Sequence, residues 1–161
     1  MESSPGNLEC LQYVHKIGCA TLTKKTTYKC VKKGDLECLR YLHENDCPWD
    51  EQTCAIASKH GHLDCLRYLH ENGCPWNKDT CTNAAKYGHL ECVKYAHEHG
   101  CPWDERTCAT AAKHGHLDCL QYSHKNGCIF NANTIINMSK YGHSDCLQYA
   151  YKYVKQRKHE S

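Results

Sequence analysis

A chain of 161 residues with a formal net charge of +2 has room for one domain or a short array, and too little charge to mark it as a nucleic-acid binder. Leu, Ile, Val and Phe are scarce, while 15 Cys, 11 Tyr and 3 Trp make up part of the missing apolar surface, so a folded chain with a thin core is expected rather than disorder. No apolar run is long enough to cross a bilayer, and MESSPGNLEC does not read as a signal peptide. An odd number of Cys without an export signal implies free or metal-bound thiols in a reducing, intracellular setting, the cytoplasm.

After a short polar lead, the signature Gly-x-[Leu/Ser]-acidic-Cys begins at Gly6, Gly34, Gly61, Gly88, Gly115 and Gly142, a step of 27 residues except for a first step of 28. A repeat of that length predicts a solenoid, in which each unit buries its apolar face only against its neighbours. The single domain 1–161 divides into a half unit at 6–19, full units over about 20–127, a C-terminal cap unit at about 128–155 and a basic tail, 156–161. Within the unit, LDCLRYLHE places Leu63, Leu66 and Leu69 at helical spacing, which predicts a helix over 63–71 stopped by Asn72-Gly73. We call this the B helix. Cys-Pro-Trp then turns the chain, because the residue before proline avoids helical geometry.

Asn77, with Asp50 and Asp104 in the same place in flanking units, is the expected N-cap of a second helix, A, over 80–87. Its Ala84 and Ala85 are small enough for close helix contact, and the Gly88-His89 turn leads to the next B helix. Short helices joined by tight turns predict an all-α solenoid of stacked antiparallel pairs. The ends depart from the pattern. Residues 20–33 hold the extra residue, Gly127-Cys128-Ile129-Phe130 replaces Cys-Pro-Trp, and Ile135 stands where a Cys is expected. The last B helix, expected over 145–154, has Tyr151 in place of His.

TCTNAAKYGHLECVKYAHEHGC resembles the ankyrin repeat, most closely at Ala84-Ala85, Gly88-His89-Leu90-Glu91 and His99-Gly100, and the likeness runs in register along nearly the whole chain. The ankyrin unit has about 33 residues; here about six are missing where its β-turn finger would project. The chain is most similar to shortened, Cys/His-rich ankyrin-like repeats of giant amoeba viruses and some protists, which would place it in a host cytoplasm. The resemblance implies stacked helix pairs without long fingers and a role in protein–protein recognition, with a partner it does not name.

Counted from each glycine, Cys recurs at +4, His at +9, and Cys at +13 and +20. Three sets are complete: Cys38, His43, Cys47, Cys54; Cys65, His70, Cys74, Cys81; and Cys92, His97, Cys101, Cys108. The resemblance makes all four offsets core positions, so packing is one explanation for the thiols. A histidine there needs partners for its nitrogens, and structural zinc, bound tetrahedrally by mixed Cys and His, is the expected cofactor. His70 and Cys74 share a helix face, and Cys81 arrives across the Pro-Trp turn. Cys65 lies about 13 Å from Cys74 along a straight helix, so it is the least secure ligand, like Cys38 and Cys92. Either the helix curls back or another group, such as Cys54, takes its place. Cys119, His124 and Cys128 form a partial set, as do Cys10, His15 and Cys19, with Thr27 at the fourth place and Cys30 one turn further.

A lysine stands two residues before each glycine from the second unit on: Lys32, Lys59, Lys86, Lys113 and Lys140. With their neighbours they nominate Lys59, His60, Lys86, Tyr87, Lys113 and His114 as a partner-binding strip for an acidic peptide or for phosphates. The competing explanation is that lysines at helix C-termini complement the macrodipole and are offset by Glu37, Asp64, Glu91, Asp118 and Asp145. His62, His89, His116 and His143 read as structural turn residues. The leading expectation is a protein–protein interaction scaffold stapled by zinc. The alternatives are a zinc-binding or thiol-buffering protein and a phosphate-backbone binder. A site repeated several times, without an acid or base placed beside an open metal position, is not an enzyme's.

Overall fold

The computed structural model describes residues 5–18, 21–129 and 132–159. Helices α1 (Pro5–Lys16), α3 (Leu36–Glu44), α5 (Leu63–Glu71), α7 (Leu90–Glu98), α9 (Leu117–Lys125) and α11 (Ser144–His159) are B helices. Between them lie the A helices α2 (Lys24–Lys33), α4 (Glu51–His60), α6 (Lys78–Lys86), α8 (Glu105–His114) and α10 (Ala132–Lys140). No strand occurs among the described residues, and the pairs pack in series as an all-α solenoid.

Local chemistry sets the helix ends. Asp50, Asn77 and Asp104 are the N-caps of α4, α6 and α8. The Asn77 side chain accepts from the Asp79 backbone N–H at 2.9 Å, and Asp104 accepts from that of Arg106 at 3.0 Å, satisfying donors that the first turn leaves free. Helix α6 starts at Lys78, two residues before the expected Thr80, because the cap sits immediately ahead of it. Helix α11 runs to His159, well past the expected 154 and through much of the segment expected to be a tail. At the other end of α4, Gly61 closes the helix: its N–H donates to Ser58 O at 3.3 Å and that of His62 to Ala57 O at 3.0 Å.

The A helices lie closest to one another and the B helices stand farther apart, which puts A on the inner side of a curved stack. Ala57, Ala84, Ala85, Ala111 and Ala112, all fully buried, permit that approach, while Leu39, Leu42, Leu66, Leu69 and Leu120 fill the space beneath the B helices. Each large aliphatic removed from water contributes about 1.5–3 kcal/mol. Few such side chains are present per unit, so contacts between units have more than usual weight.

One such contact explains the glycine of the repeat. Gly61 has φ +73, a region an L side chain enters at a cost of about 1–2 kcal/mol. A Cβ there would also stand 2.5 Å from Nδ1 of His89, the turn histidine one unit on. That imidazole spans the gap between units, with Nε2 3.2 Å from Lys59 O; His62, His116 and His143 reach Lys32, Lys86 and Lys113 in the same way. Gly73 also has positive φ, +77, but its missing Cβ would meet nothing within 4 Å. Gly61→Ala is therefore expected to destabilise the chain by about 2 kcal/mol or more and Gly73→Ala by about 1 kcal/mol, measured by urea denaturation. Equal losses would show that the histidine contact adds nothing.

Candidate functional site

The repeating histidine at +9 is the side chain from which a metal set would have to be built. One polar partner recurs for all five of these histidines. The ring is half-buried at the end of a B helix, and its Nδ1 is hydrogen-bonded to a tyrosine hydroxyl on the next B helix. The pairs are His15–Tyr41 at 2.8 Å, His43–Tyr68 at 2.9 Å, His70–Tyr95 at 3.0 Å, His97–Tyr122 at 3.2 Å and His124–Tyr149 at 3.0 Å. One face of the imidazole lies against the tryptophan of its own Cys-Pro-Trp turn, with ring centroids 4.1 Å apart for His43–Trp49, 4.0 Å for His70–Trp76 and 3.9 Å for His97–Trp103. Arg40 and Arg67 sit over Tyr68 and Tyr95 at 5.0 and 5.1 Å. Burial holds His70 below the ordinary imidazole value, with His99 adding to the effect, and burial raises Tyr95. The uncharged ring and the protonated phenol are thereby both favoured.

The thiols pair differently from the expected quartets. Cys54 on α4 faces Cys74, Cys81 on α6 faces Cys101, and Cys108 on α8 faces Cys128, to whose backbone O it donates at 3.5 Å. The facing thiols and burial push Cys54, Cys81 and Cys108 far up, so each stays an S–H donor. The thiols they face donate to backbone in turn: Cys74 to Asp50 O, Cys101 to Asn77 O and Cys128 to Asp104 O, at 3.3, 3.3 and 3.4 Å. The acceptors are the backbones of the A-helix N-caps. Where the first full unit has Thr27 in place of the donor cysteine, its hydroxyl lies 3.2 Å from Cys47 Sγ, and Cys47 donates to Thr23 O at 3.3 Å. Thr and Cys serve alike in this position, which fits a small hydrogen-bonding core group.

His70, Cys74 and Cys81 are therefore not brought together. Cys74 turns back to Cys54, Cys81 forward to Cys101, and His70 to Tyr95; the same holds for His43, Cys47 and Cys54 and for His97, Cys101 and Cys108. Among the described residues no three His, Cys, Asp or Glu side chains converge as a metal would require. Cys38, Cys65 and Cys92 are core residues on the inner face of the B helices, 2 %, 1 % and 1 % exposed. Burial pushes Cys65 and Cys92 up to about 12 and Cys119 to about 11, which leaves them poor nucleophiles. Cys19 and Phe130 lie outside the described residues.

The family described as Ankyrin repeats (3 copies) matches residues 27–107 and again 55–134, together two thirds of the chain and in register with its helix pairs. The chain belongs to the ankyrin repeat family. No curated protein matches it. Within this ankyrin repeat stack, the residues nominated as a partner strip lie at the C-terminal ends of successive A helices. Lys32, Lys59, Lys113 and Lys140 are exposed and Lys86 partly so, at the C-terminal ends of the A helices. Lys59 and Lys86 both approach the Tyr87 ring, at 5.6 and 5.3 Å, and Lys113 and Lys140 both approach Tyr141, at 5.5 Å each. Two of the acids expected to offset them pair instead on their own helices, Glu37 with Arg40 and Glu91 with Lys94.

Sequence reasoning missed Tyr41, Tyr68, Tyr95, Tyr122 and Tyr149 and the role of Trp49, Trp76 and Trp103. The signal was present, since a tyrosine recurs at +7 in each unit. A neutral hydrogen bond of this kind contributes about 1 kcal/mol net. In a double-mutant cycle of His70→Leu and Tyr95→Phe, followed by urea denaturation, the coupling energy is expected at about 1 kcal/mol. Additive losses would show that the pair is not a bond of consequence.

Proposed function

We propose that this ankyrin repeat chain is a non-enzymatic scaffold for protein partners, working inside the cell. The observation that carries this is the engagement of the repeated imidazoles and thiols in bonds between and within units. The repeated imidazoles and thiols that would serve catalysis, metal exchange or thiol chemistry are engaged in structural contacts, and a repeated row of lysines without an ion pair among the described residues lies along the inner helix ends. No helix among the described residues is long and apolar enough to cross a membrane. The family supports a protein partner, because stacked repeats offer an extended surface for recognition.

Zinc is the second reading, and the paired thiols favour it: Cys54 with Cys74, Cys81 with Cys101 and Cys108 with Cys128 each provide half of a tetrahedral set. Completing the set would require an imidazole to leave its tyrosine or another thiol to leave the core. Elemental analysis of protein purified under reducing conditions, with melting curves in the presence and absence of a strong chelator, separates the two. The scaffold held by hydrogen bonds is expected to carry less than one zinc per chain and to melt within about 2 °C under both conditions. Stoichiometric zinc, with a melting temperature that falls by ten degrees or more on chelation, would establish the metal-stapled form instead.

A further inference from the structure

The lysine strip has a chemistry and a spacing that together define a ligand. Basic residues at the N-terminal ends of the A helices have acidic partners: Lys24 pairs with Asp50 at 3.0 Å, Lys78 with Asp104 at 3.3 Å, and Arg106 with both Asp104 and Asp79 at 3.1 and 3.4 Å. Lys32, Lys59, Lys86, Lys113 and Lys140 share the same register and have no ion pair among the described residues. In alternate units the lysines of two neighbours flank one tyrosine ring, Tyr87 or Tyr141, which fixes their ammonium groups by attraction to the ring face. In the other units the ring position is held by His60 or His114. Burial, with the nearby Lys59 and Lys32 and the nearby Lys86 and Lys113 adding to it, holds His60 and His114 below the ordinary imidazole value. The strip is thus a row of lysines in the same place in successive units, separated by uncharged rings and with no ion pair to them among the described residues.

Stacked helices lie about 8–10 Å apart, which sets the rise from one lysine to the next. In polyproline II geometry an extended peptide advances about 3.1 Å per residue with three residues per turn, so every third side chain returns to the same face and meets a rung. The inner side of a curved stack also suits an extended chain. A nucleic acid fits less well. The strip is narrow, the exposed acids Glu37, Asp64, Glu91 and Asp118 follow each lysine by only five residues, and the whole chain carries +2.

We propose that the strip from Lys32 to Lys140 receives an extended acidic segment of a protein partner, with a carboxylate at about every third residue and its ion pairs to the lysines beside Tyr87 and Tyr141. This rests on the scaffold reading and names the chemistry of its ligand. Each ion pair forms at a lysine on the surface, so the binding weakens with salt.

The test is fluorescence anisotropy at low salt with the full chain and three probes. They are a 15-residue Glu-Ser-Ser repeat peptide, a peptide of equal composition with its five Glu in one block, and a single-stranded 15-nucleotide oligomer. The spaced peptide is expected to bind most tightly. Lys59→Glu/Lys86→Glu/Lys113→Glu is expected to weaken it by about tenfold or more, while Arg40→Glu/Arg67→Glu/Lys94→Glu, an equal charge change on the B helices, alters it by less than about threefold. Far-ultraviolet circular dichroism and melting curves establish that both triple variants remain folded. No binding of the spaced peptide at low salt, equal losses in the two variants, or a block peptide that binds as tightly would overturn the proposal. An oligonucleotide that binds more tightly would assign the strip to nucleic acid. Capture of native partners distinguishes this failure from that of the scaffold reading. If the lysine variant captures the same proteins as the unaltered chain, the strip proposal falls and the scaffold stands. If the unaltered chain captures none, the scaffold reading itself fails.

Discussion

An imidazole at the end of one B helix and a phenol on the next are the groups that most directly tie unit to unit. The aliphatic core is thin, and no β-turn finger of ankyrin length joins successive turns. The bond from His to Tyr at 2.8–3.2 Å, with the imidazole pressed on Trp in three of the units, adds a directional contact of the same kind at each of five boundaries. Taken singly each is worth about 1 kcal/mol, with an aromatic contribution of similar size. In a linear array, stability is a sum over units and interfaces, so a contact repeated at every interface has a share out of proportion to its size.

Two other repeated bonds hold each unit in register. On the inner side, the turn histidine occupies the space a side chain on the preceding unit's glycine would need, and reaches a lysine carbonyl beyond it. Beneath the Pro-Trp turn, a thiol or hydroxyl on the A helix faces a second thiol, which reaches the carbonyl of the cap residue. The polar groups at the turn are thus satisfied by very small side chains. These contacts leave the A-helix ends exposed in a fixed row, which gives the lysines their regular rise. The scaffold and its surface come from the same repeat.

The fold was largely legible in the residues. The spacing of Gly34, Gly61, Gly88, Gly115 and Gly142 predicted the stack, Leu63, Leu66 and Leu69 placed the B helix, and Asp50, Asn77 and Asp104 marked the N-caps. The doubt attached to Cys65 also matches its place in the core. The site was less legible, because proximity in a repeat array runs in two directions. His70 and Cys74 are four residues apart, and Cys81 follows seven later, so nearness in sequence suggested that they converge. The partners that the fold supplies are one unit away: Tyr95 lies 25 residues after His70, and Cys54 lies 20 before Cys74. Offsets must be read across the repeat as well as within it. The lysine strip was visible as a pattern, but whether acids neutralise it depended on which way Glu37 and Glu91 turn, and that only the helix packing decides.

The central claim is that an imidazole–phenol bond, and not a metal, occupies the histidine of each unit. The most direct measurement is nitrogen NMR of the full chain with 15N-labelled histidine, recorded with and without a chelator. The account predicts that His43, His70 and His97 give the shifts of metal-free imidazoles, unaltered by chelation, and that Tyr95→Phe moves the Nδ1 signal of His70 alone among the three. Metal-bound nitrogen shifts that disappear on chelation, or a His70 signal indifferent to the loss of the Tyr95 hydroxyl, would contradict it.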